Sequence, residues 1–267
     1  MSVSEAADTG RDPGALLGPG DPPPVEVINP EGKGGFVFGC EHAGNLIPAG
    51  LGTLGLTAEE LTRHIAWDIG AARLTALLSE DLDSLGILQR YSRLVYDCNR
   101  TASHPGAFIV DADGTHVSGN AGLTADDRAA RETAIYRPFQ EQASELTASR
   151  QRRAERFAYV AVHSFNAQVR GQARPWHVGV LYNQHSAMSH FLIRWFRENT
   201  GWQIGDNQPY SPLDAVDHTL RMQAETRSIP CTMIEVRNDL LRSEEQISSC
   251  AALLAQGLRA YAAQEFG

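Results

Sequence analysis

The sequence predicts an α/β fold in which a mainly parallel or mixed β-sheet is covered by helices on both faces. Short apolar runs, typical of buried strands, alternate along the chain with longer segments in which apolar residues recur at helical spacing. Several of the strand-like runs end in polar residues, and ligands of open α/β sheets bind beyond the carboxyl ends of the strands. With 267 residues and 42% hydrophobic content, one domain with a large core is expected.

The composition excludes several classes of partner. A net charge of -9 argues against nucleic-acid or anionic-membrane binding, because both require clustered Lys and Arg. The chain has no run of about 18 apolar residues and no cationic start followed by an apolar core, so we expect a cytoplasmic protein. Four widely spaced cysteines are expected to be small buried hydrophobes rather than disulfides or metal ligands: Cys40, Cys98, Cys231 and Cys250.

Residues 1–30 are rich in Gly and Pro and have little to bury, which predicts a flexible or extended tail. Residues 31–267 are then expected to form a single catalytic domain. Its first strand, residues 36–40, delivers Glu41 and His42 into a loop.

A helix is predicted next, beginning at the capping-box pair Thr57 and Glu60 and continuing through apolar residues at helical spacing. Asp68 falls on or beside the inward face of this helix. An ionised Asp in that place is costly unless it is paired, hydrogen-bonded or bound to a metal. A cap or a pair with Arg63 or Arg73 would satisfy it equally well.

A second strand over residues 85–88 leads into a polar segment that ends in Asn99 and Arg100. Residues 101–123 are rich in Gly and predict a long loop, and such loops in compact domains are usually functional or mobile. A lid that sets substrate choice is one role for it.

The second half of the chain continues the alternation. A helix over residues 124–155, interrupted near Pro138, precedes a buried strand over residues 157–165 that carries His163. The remaining predicted elements are a strand at 176–182, a helix from about 186, an irregular segment at 203–218, a helix near 218–227, a strand at 231–236 carrying Glu235, and a helix from Ser243.

Three buried strands thus place His42, His163 and Glu235 at or near their ends. Two imidazoles and a carboxylate suit zinc, which keeps one position open for water in catalytic sites. Such an ion lowers the pKa of its water and polarises a carbonyl, and Glu235 would pass the proton of the water to a leaving nitrogen. A single His at a strand end is more often structural, and Glu235 otherwise belongs to an ion-pair network.

A set of motifs, in order between about residues 35 and 260, resembles the N-formylglutamate amidohydrolases. The motifs are EHAGNLIP (41–48), AWDIG (66–70), SRLVYDCNR (92–100), VHSF (162–165), GDNQPY (205–210) and IEVRNDL (234–240). The resemblance implies a three-layer α/β/α sandwich with a mixed, mostly parallel sheet, as in the zinc carboxypeptidases. It also implies hydrolysis of N-formyl-L-glutamate to formate and glutamate, the last step of one histidine-degradation route.

Carried over by position, the resemblance implies that His42 and His163 bind a single divalent ion, zinc, and that Glu235 is the general base. The implied substrate contacts are Asn99 and Arg100 on the α-carboxylate, and Arg93 as a second anion clamp or oxyanion stabiliser. From the residues alone, Arg93 and Arg100 are alternatively salt-bridge partners of Asp97.

One departure concerns the third metal ligand. The first carboxypeptidase motif is His-x-x-Glu, whereas Asn45 stands three residues after His42. Asp68 is the favoured replacement, with Glu41 and Asn45 as fallbacks. Asn45 also supports a rival hypothesis, a metal-free small-molecule-binding protein of the same fold. A related N-acyl amino acid or peptide hydrolase is a third possibility, and the oligomeric state is left open.

Overall fold

The structure is a computed structural model that describes residues 16–184, 186–210 and 218–267. Its strands are β1 (Val25–Ile28), β2 (Phe36–Cys40), β3 (Leu85–Gln89), β4 (Asp111–Ala112), β5 (Thr115–His116), β6 (Ala158–Phe165), β7 (Gln168–Val169), β8 (Gln172–Ala173), β9 (Val178–Leu181), β10 (Ile204–Asp206) and β11 (Cys231–Arg237). Its α-helices are α1 (Ala71–Asp81), α2 (Ala125–Arg131), α3 (Arg137–Arg152), α4 (Ala187–Asn199), α5 (His218–Gln223) and α6 (Glu244–Glu265).

The central sheet is mixed and mostly parallel, as predicted. Among the described residues, seven strands pair in the order β1-β3-β2-β6-β11-β9-β10. Strands β3, β2, β6 and β11 run parallel, while β1 is antiparallel to β3 and β9 is antiparallel to β11. The carboxyl ends of β2, β6 and β11 therefore lie side by side.

Helices cover both faces of this sheet and make it the middle of three layers. Alternate strand residues enter two separate cores, since Val37 packs on one face and Phe36 and Phe38 on the other. The first core includes Phe139 of α3 and Leu220 of α5, and the second includes side chains of α1, α4 and α6. The four cysteines are buried and form no disulfide with one another, as expected.

The prediction of a flexible or extended tail is wrong for residues 25–28, which form strand β1. This strand completes the sheet by pairing with β3, and its flanks are held by bonds from Arg90 N to Pro24 O (2.9 Å) and from the Tyr91 hydroxyl to Pro22 O (2.7 Å). The Gly- and Pro-rich composition of residues 1–30 hid a short β-branched run, VEVI, whose backbone groups pair with the open edge of β3. Residues 1–15 lie outside the described part, and the single domain over 31–267 stays a prediction.

The helix predicted from Thr57 is also wrong in its extent. Thr57 and Glu60 do form the reciprocal capping contacts, but the segment that follows contains only a short 3₁₀ turn at Glu60–Thr62. Helix α1 begins later, at Ala71, after a turn that contains Asp68. The periodicity across residues 61–76 therefore reflects burial in a compact loop as well as in a helix.

Two further differences concern short elements. The irregular segment predicted at 203–218 contains the edge strand β10, and its residues 211–217 lie outside the described part. The loop at 101–123 contains the β4–β5 hairpin and short 3₁₀ turns, and its role as a lid stays a prediction.

The long helical region was predicted correctly. It consists of α2, a π-helical segment at Glu132–Tyr136, and α3, which carries Pro138 in its first turn. Pro138 has no N–H to donate to the preceding turn, and the predicted interruption takes the form of the π-helical segment directly before α3. Among residues 16–184, 186–210 and 218–267, none of the helices combines the length and apolar character of a membrane span.

Candidate active site

Three predicted side chains meet at the carboxyl edge of the sheet. His42 follows β2, His163 lies near the end of β6, and Glu235 lies near the end of β11 opposite His163 in the register. The two imidazole rings stand 4.9 Å apart between centroids. All three side chains line one cavity of about 130 Å³. The parallel order of the three strands makes this convergence unavoidable.

Asp68 reaches the same point from the turn before α1, not from a helix face. Its backbone N–H donates to His42 O at 2.9 Å, which fixes the turn against the loop after β2. Gly70 makes this approach possible: its φ is +80°, and a Cβ there would lie 2.5 Å from the Leu241 side chain. The carboxylate of Asp68 is thereby held between the two imidazoles.

The ligand atoms of His42, Asp68 and His163 lie within 4.8 Å of one another, so the three predicted ligands do form a possible metal site. Nδ1 of His163 is 2.8 Å from Asp68 Oδ2, and Nδ1 of His42 is 3.5 Å from the same oxygen. Nδ1 of His42 is buried and has no hydrogen-bond partner. A buried nitrogen of this kind, beside a second imidazole and a carboxylate, suits a metal ion.

Each imidazole presents its other nitrogen to a second carboxylate. His42 Nε2 lies 2.7 Å from Asp97 Oδ1, and His163 Nε2 lies 2.9 Å from Glu41 Oε2 without hydrogen-bond alignment. An ionised carboxylate can only accept, so in the neutral form of His42 the proton is on Nε2 and the lone pair is on Nδ1. Carboxylates behind metal-binding histidines commonly fix the tautomer in this way.

The buried charges around the site also favour a cation. Four buried carboxylates surround the two imidazoles: Glu41, Asp68, Asp97 and Glu235. Burial alone would raise the pKa of Asp68, but the imidazoles of His42 and His163 hold that pKa well below its usual range. Such a concentration of negative charge away from water requires positive partners, of which Arg93 supplies one beside Asp68 and Asp97. The residues therefore fit a divalent ion.

Glu235 differs from the other carboxylates. Burial raises the pKa of Glu235 to about 7, and its Oε2 has no hydrogen-bond partner. A carboxyl group whose pKa lies near neutrality exchanges protons readily, which is what a general base requires.

Asn99 and Arg100 line the cavity, as expected of substrate-binding residues. Oδ1 of Asn99 accepts hydrogen bonds from the backbone N–H groups of His218 and Thr219 at the start of α5 (2.9 and 3.0 Å). Nη1 of Arg100 donates to Asn99 O at 2.9 Å. That these two residues grip a carboxylate stays a prediction.

Arg93 also lines the cavity, and its contacts favour a role in positioning. Its two terminal nitrogens lie 3.4 Å from Asp68 Oδ1 and 3.1 Å from Asp97 Oδ2. The guanidinium therefore bridges the two acids. Its predicted role as anion clamp or oxyanion stabiliser stays a prediction, and the alternative salt bridge with Asp97 is present.

The fallback ligands are less well placed than Asp68. The side-chain amide of Asn45 donates to Leu61 O at 3.0 Å, and Asn45 does not line the cavity. Glu41 is fully buried behind His163, on its Nε2 side.

Five cavity-lining residues were not named as site residues by the sequence analysis, and two of them are titratable, His64 and Tyr210. His64 Nδ1 lies 3.6 Å from Asp68 Oδ1, and burial lowers the pKa of His64 to about 4. Its position four residues before Asp68 was the available signal. Tyr210 lies in the GDNQPY motif, but only the three-dimensional structure places it beside Glu235.

Comparisons with known proteins agree with these observations. The sequence model of the family described as N-formylglutamate amidohydrolase matches residues 34–242. No curated protein matches the chain. The structure is similar to the crystal structure of a gene product from Agrobacterium tumefaciens, with a TM-score of 0.89 and 36% sequence identity between the two chains. The match covers 92% of this chain and 99% of that one.

A second solved structure shows the same fold at lower sequence similarity. It is an N-formylglutamate amidohydrolase from Ralstonia eutropha, with a TM-score of 0.66 and 18% identity. The match covers 89% of this chain and 96% of that one.

Proposed function

Because the chain belongs to the N-formylglutamate amidohydrolase family and is thus an amidohydrolase, we propose that it hydrolyses N-formyl-L-glutamate to formate and L-glutamate. The substrate is a linear amide, and the reaction adds water across its C–N bond. Formate leaves with the carbonyl carbon, and the nitrogen leaves as the amine of glutamate. The place of this reaction in histidine degradation is part of the same proposal.

We further propose that His42, Asp68 and His163 hold one divalent ion, with zinc the best match to two imidazoles and a carboxylate. When bound, such an ion supplies Lewis-acid chemistry, which activates water and polarises the amide carbonyl. Asp97 and Glu41 keep the two imidazoles oriented with Nδ1 towards the ion.

Glu235 moves the proton in this proposal. Its carboxylate accepts a proton from the attacking water and delivers it to the amide nitrogen as the C–N bond breaks. Burial raises the pKa of Glu235 to about 7 in the ion-free site, which places this carboxyl group close to the range that proton transfer at neutral pH requires. The apolar walls of the cavity, Leu181 and Met233, limit the water around it.

Arg100 is proposed to bind the α-carboxylate, together with the amide of Asn99. A guanidinium matches the two oxygens of a carboxylate with parallel hydrogen bonds, which gives orientation as well as attraction. This contact places the scissile amide at the edge of the sheet where Glu235 and the imidazoles converge.

The single observation that carries the proposal is the convergence of the His42, Asp68 and His163 ligand atoms beside Glu235 in one cavity. Its test is formate release from a panel of N-formyl amino acids, measured together with the metal content of the purified protein. We expect formate release with N-formyl-L-glutamate among the best substrates and loss of activity on chelation. Hydrolysis that persists in fully metal-free protein would contradict the proposal.

A further inference from the structure

N-formyl-L-glutamate carries two carboxylates, whereas the proposed function assigns a binding residue to only one. The α-carboxylate is assigned to Arg100, so the side-chain carboxylate needs a second cationic group within reach of the cavity. Recognition of a carboxylate by a guanidinium is charge-assisted and specific in geometry. The residue in question must hold a positive charge that no protein carboxylate already neutralises.

Arg93 does not meet this condition. It lines the cavity, but both of its terminal nitrogens contact carboxylates, those of Asp68 and Asp97. A substrate carboxylate at Arg93 would compete with two buried acids for the same donors. Arg63 and Arg237 are likewise occupied, by Asp113 and Asp239.

Arg174 meets it. Among residues 16–184, 186–210 and 218–267, no carboxylate lies within ion-pair distance of its guanidinium. Nη1 donates to the Tyr210 hydroxyl at 3.0 Å, and Tyr210 lines the cavity beside Glu235. Arg174 is half-buried, so its charge is partly withdrawn from water without an acidic partner.

The guanidinium of Arg174 is held in place by aromatic rings. Its central carbon lies 4.7 Å from the centre of the Tyr210 ring and 5.8 Å from that of Phe165. The backbone is fixed as well, because Arg174 N donates to Ala167 O at 2.8 Å. Stacking on rings orients the plane of a guanidinium while leaving its edge donors available, which lowers the entropy cost of binding an anion.

We propose that Arg174 and Tyr210 bind the side-chain carboxylate of the substrate and thereby determine the preference for an acidic amino acid. Arg174 supplies the charge. Because the Tyr210 oxygen already accepts from Arg174, its own O–H is the group that donates to the carboxylate. The inference rests on the proposed deformylation, and it names the residues that select among N-formyl amino acids.

The test compares N-formyl-L-glutamate with N-formyl-L-glutamine, which has the same shape and no side-chain charge. For each enzyme the ratio of the two kcat/KM values is measured. The variants are Arg174→Gln, which removes the charge, and Arg174→Lys, which keeps the charge without the planar fork. Arg170→Gln is the matched control, because Arg170 is an exposed cation of the same segment, whereas Arg174 is half-buried and reaches the active-site cavity through its hydrogen bond with Tyr210.

We expect the unsubstituted protein to prefer N-formyl-L-glutamate. A charge-assisted contact predicts that Arg174→Gln lowers the ratio by about ten- to a hundredfold. Arg174→Lys should lower it less, and Arg170→Gln should leave it unchanged. If Arg174→Gln does not fold by circular dichroism, the ratio for Arg174→Lys decides the question, and a value equal to that of the unsubstituted protein overturns the inference.

Two results separate this inference from the proposed function. If the unsubstituted protein releases formate equally well from both substrates, or if Arg174→Gln lowers both kcat/KM values by the same factor, the deformylase stands and the role of Arg174 is wrong. If the unsubstituted protein releases formate from neither substrate, the proposed function fails, and the role of Arg174 fails with it.

Discussion

Replacing Asp97 with Asn tests how the metal site is supported, because it changes one atom of a buried side chain. Asp97 Oδ1 accepts from His42 Nε2 (2.7 Å) and from Asn99 N (3.0 Å), and Oδ2 accepts from Arg93 (3.1 Å). An Asn side chain has one oxygen and one NH₂ group. Either orientation of the amide therefore sets a donor against a donor, at Arg93 or at His42 and Asn99.

The magnitude follows from these contacts. Breaking one side of a buried ion pair costs about 3–5 kcal/mol, and because Arg93 keeps some exposure and its contact with Asp68, we expect a loss of about 3 kcal/mol in the free energy of unfolding. Loss of a carboxylate behind a metal-binding His typically weakens metal affinity by about 10- to 100-fold. We expect the same for zinc binding by Asp97→Asn.

Two assays measure these effects separately. Urea denaturation in the presence of a chelator gives the free energy of unfolding, and competition with a chromophoric chelator gives the zinc dissociation constant. Asp83→Asn is the control, because Asp83 also accepts two hydrogen bonds, from Asn29 and Lys33, but lies before β3 at the opposite edge of the sheet. If Asp97→Asn binds zinc as tightly as the unsubstituted protein, Asp97 does not orient a metal ligand and the reasoning is refuted.

Three other substitutions test separate parts of the account. Glu235→Gln keeps the volume and removes the base, so kcat should fall by roughly a hundredfold or more with zinc content intact; normal turnover in a steady-state assay would show that another group moves the proton. Arg100→Lys should raise KM for N-formyl-L-glutamate about tenfold with a smaller effect on kcat, since an ammonium does not reproduce the two-pronged contact; an unchanged KM would place the α-carboxylate elsewhere. Leu254→Ala, on the buried face of α6, should lower the free energy of unfolding by about 2–5 kcal/mol without changing zinc affinity; a loss of zinc affinity in the folded variant would mean that the site depends on that core.

The sequence was sufficient to predict the strands that carry the candidate active-site residues. Strands β2, β6 and β11 are short apolar runs that end in or near His42, His163 and Glu235, and residues near the carboxyl ends of neighbouring parallel strands must lie close together. The capped helix α6 was also predicted, because Ser243 and Gln246 form the expected reciprocal pair. In both cases the local signal and the final structure agree.

The turn before α1 was not predictable from local signals. A capping pair at Thr57 and Glu60 and apolar residues at helical spacing favoured a helix over the segment that contains Asp68. The structure instead uses Gly70 in a left-handed conformation and the contact from Asp68 N to His42 O to hold a turn. These tertiary contacts override helix propensity, and they are what brings Asp68 between the imidazoles.

The parts that were missed depend on pairing across the structure. Strand β1 forms because β3 offers an open edge, and β10 forms because β9 does, so neither requires a strong apolar run. Tyr210 and Arg174 are distant in sequence and meet only after the sheet is assembled. His64 was missed for a different reason, because its one local signal was a position four residues before Asp68, and only the structure shows that the two side chains meet.

The most direct test of the account is the metal content of the purified protein compared with that of His42→Ala and His163→Ala, measured by inductively coupled plasma mass spectrometry after zinc loading and desalting. We predict about one zinc ion per chain in the unsubstituted protein and little in either folded variant, because each loses one of three ligands. If the unsubstituted protein holds no stoichiometric metal, or if both variants retain it, the imidazoles do not form the metal site and the central claim is wrong.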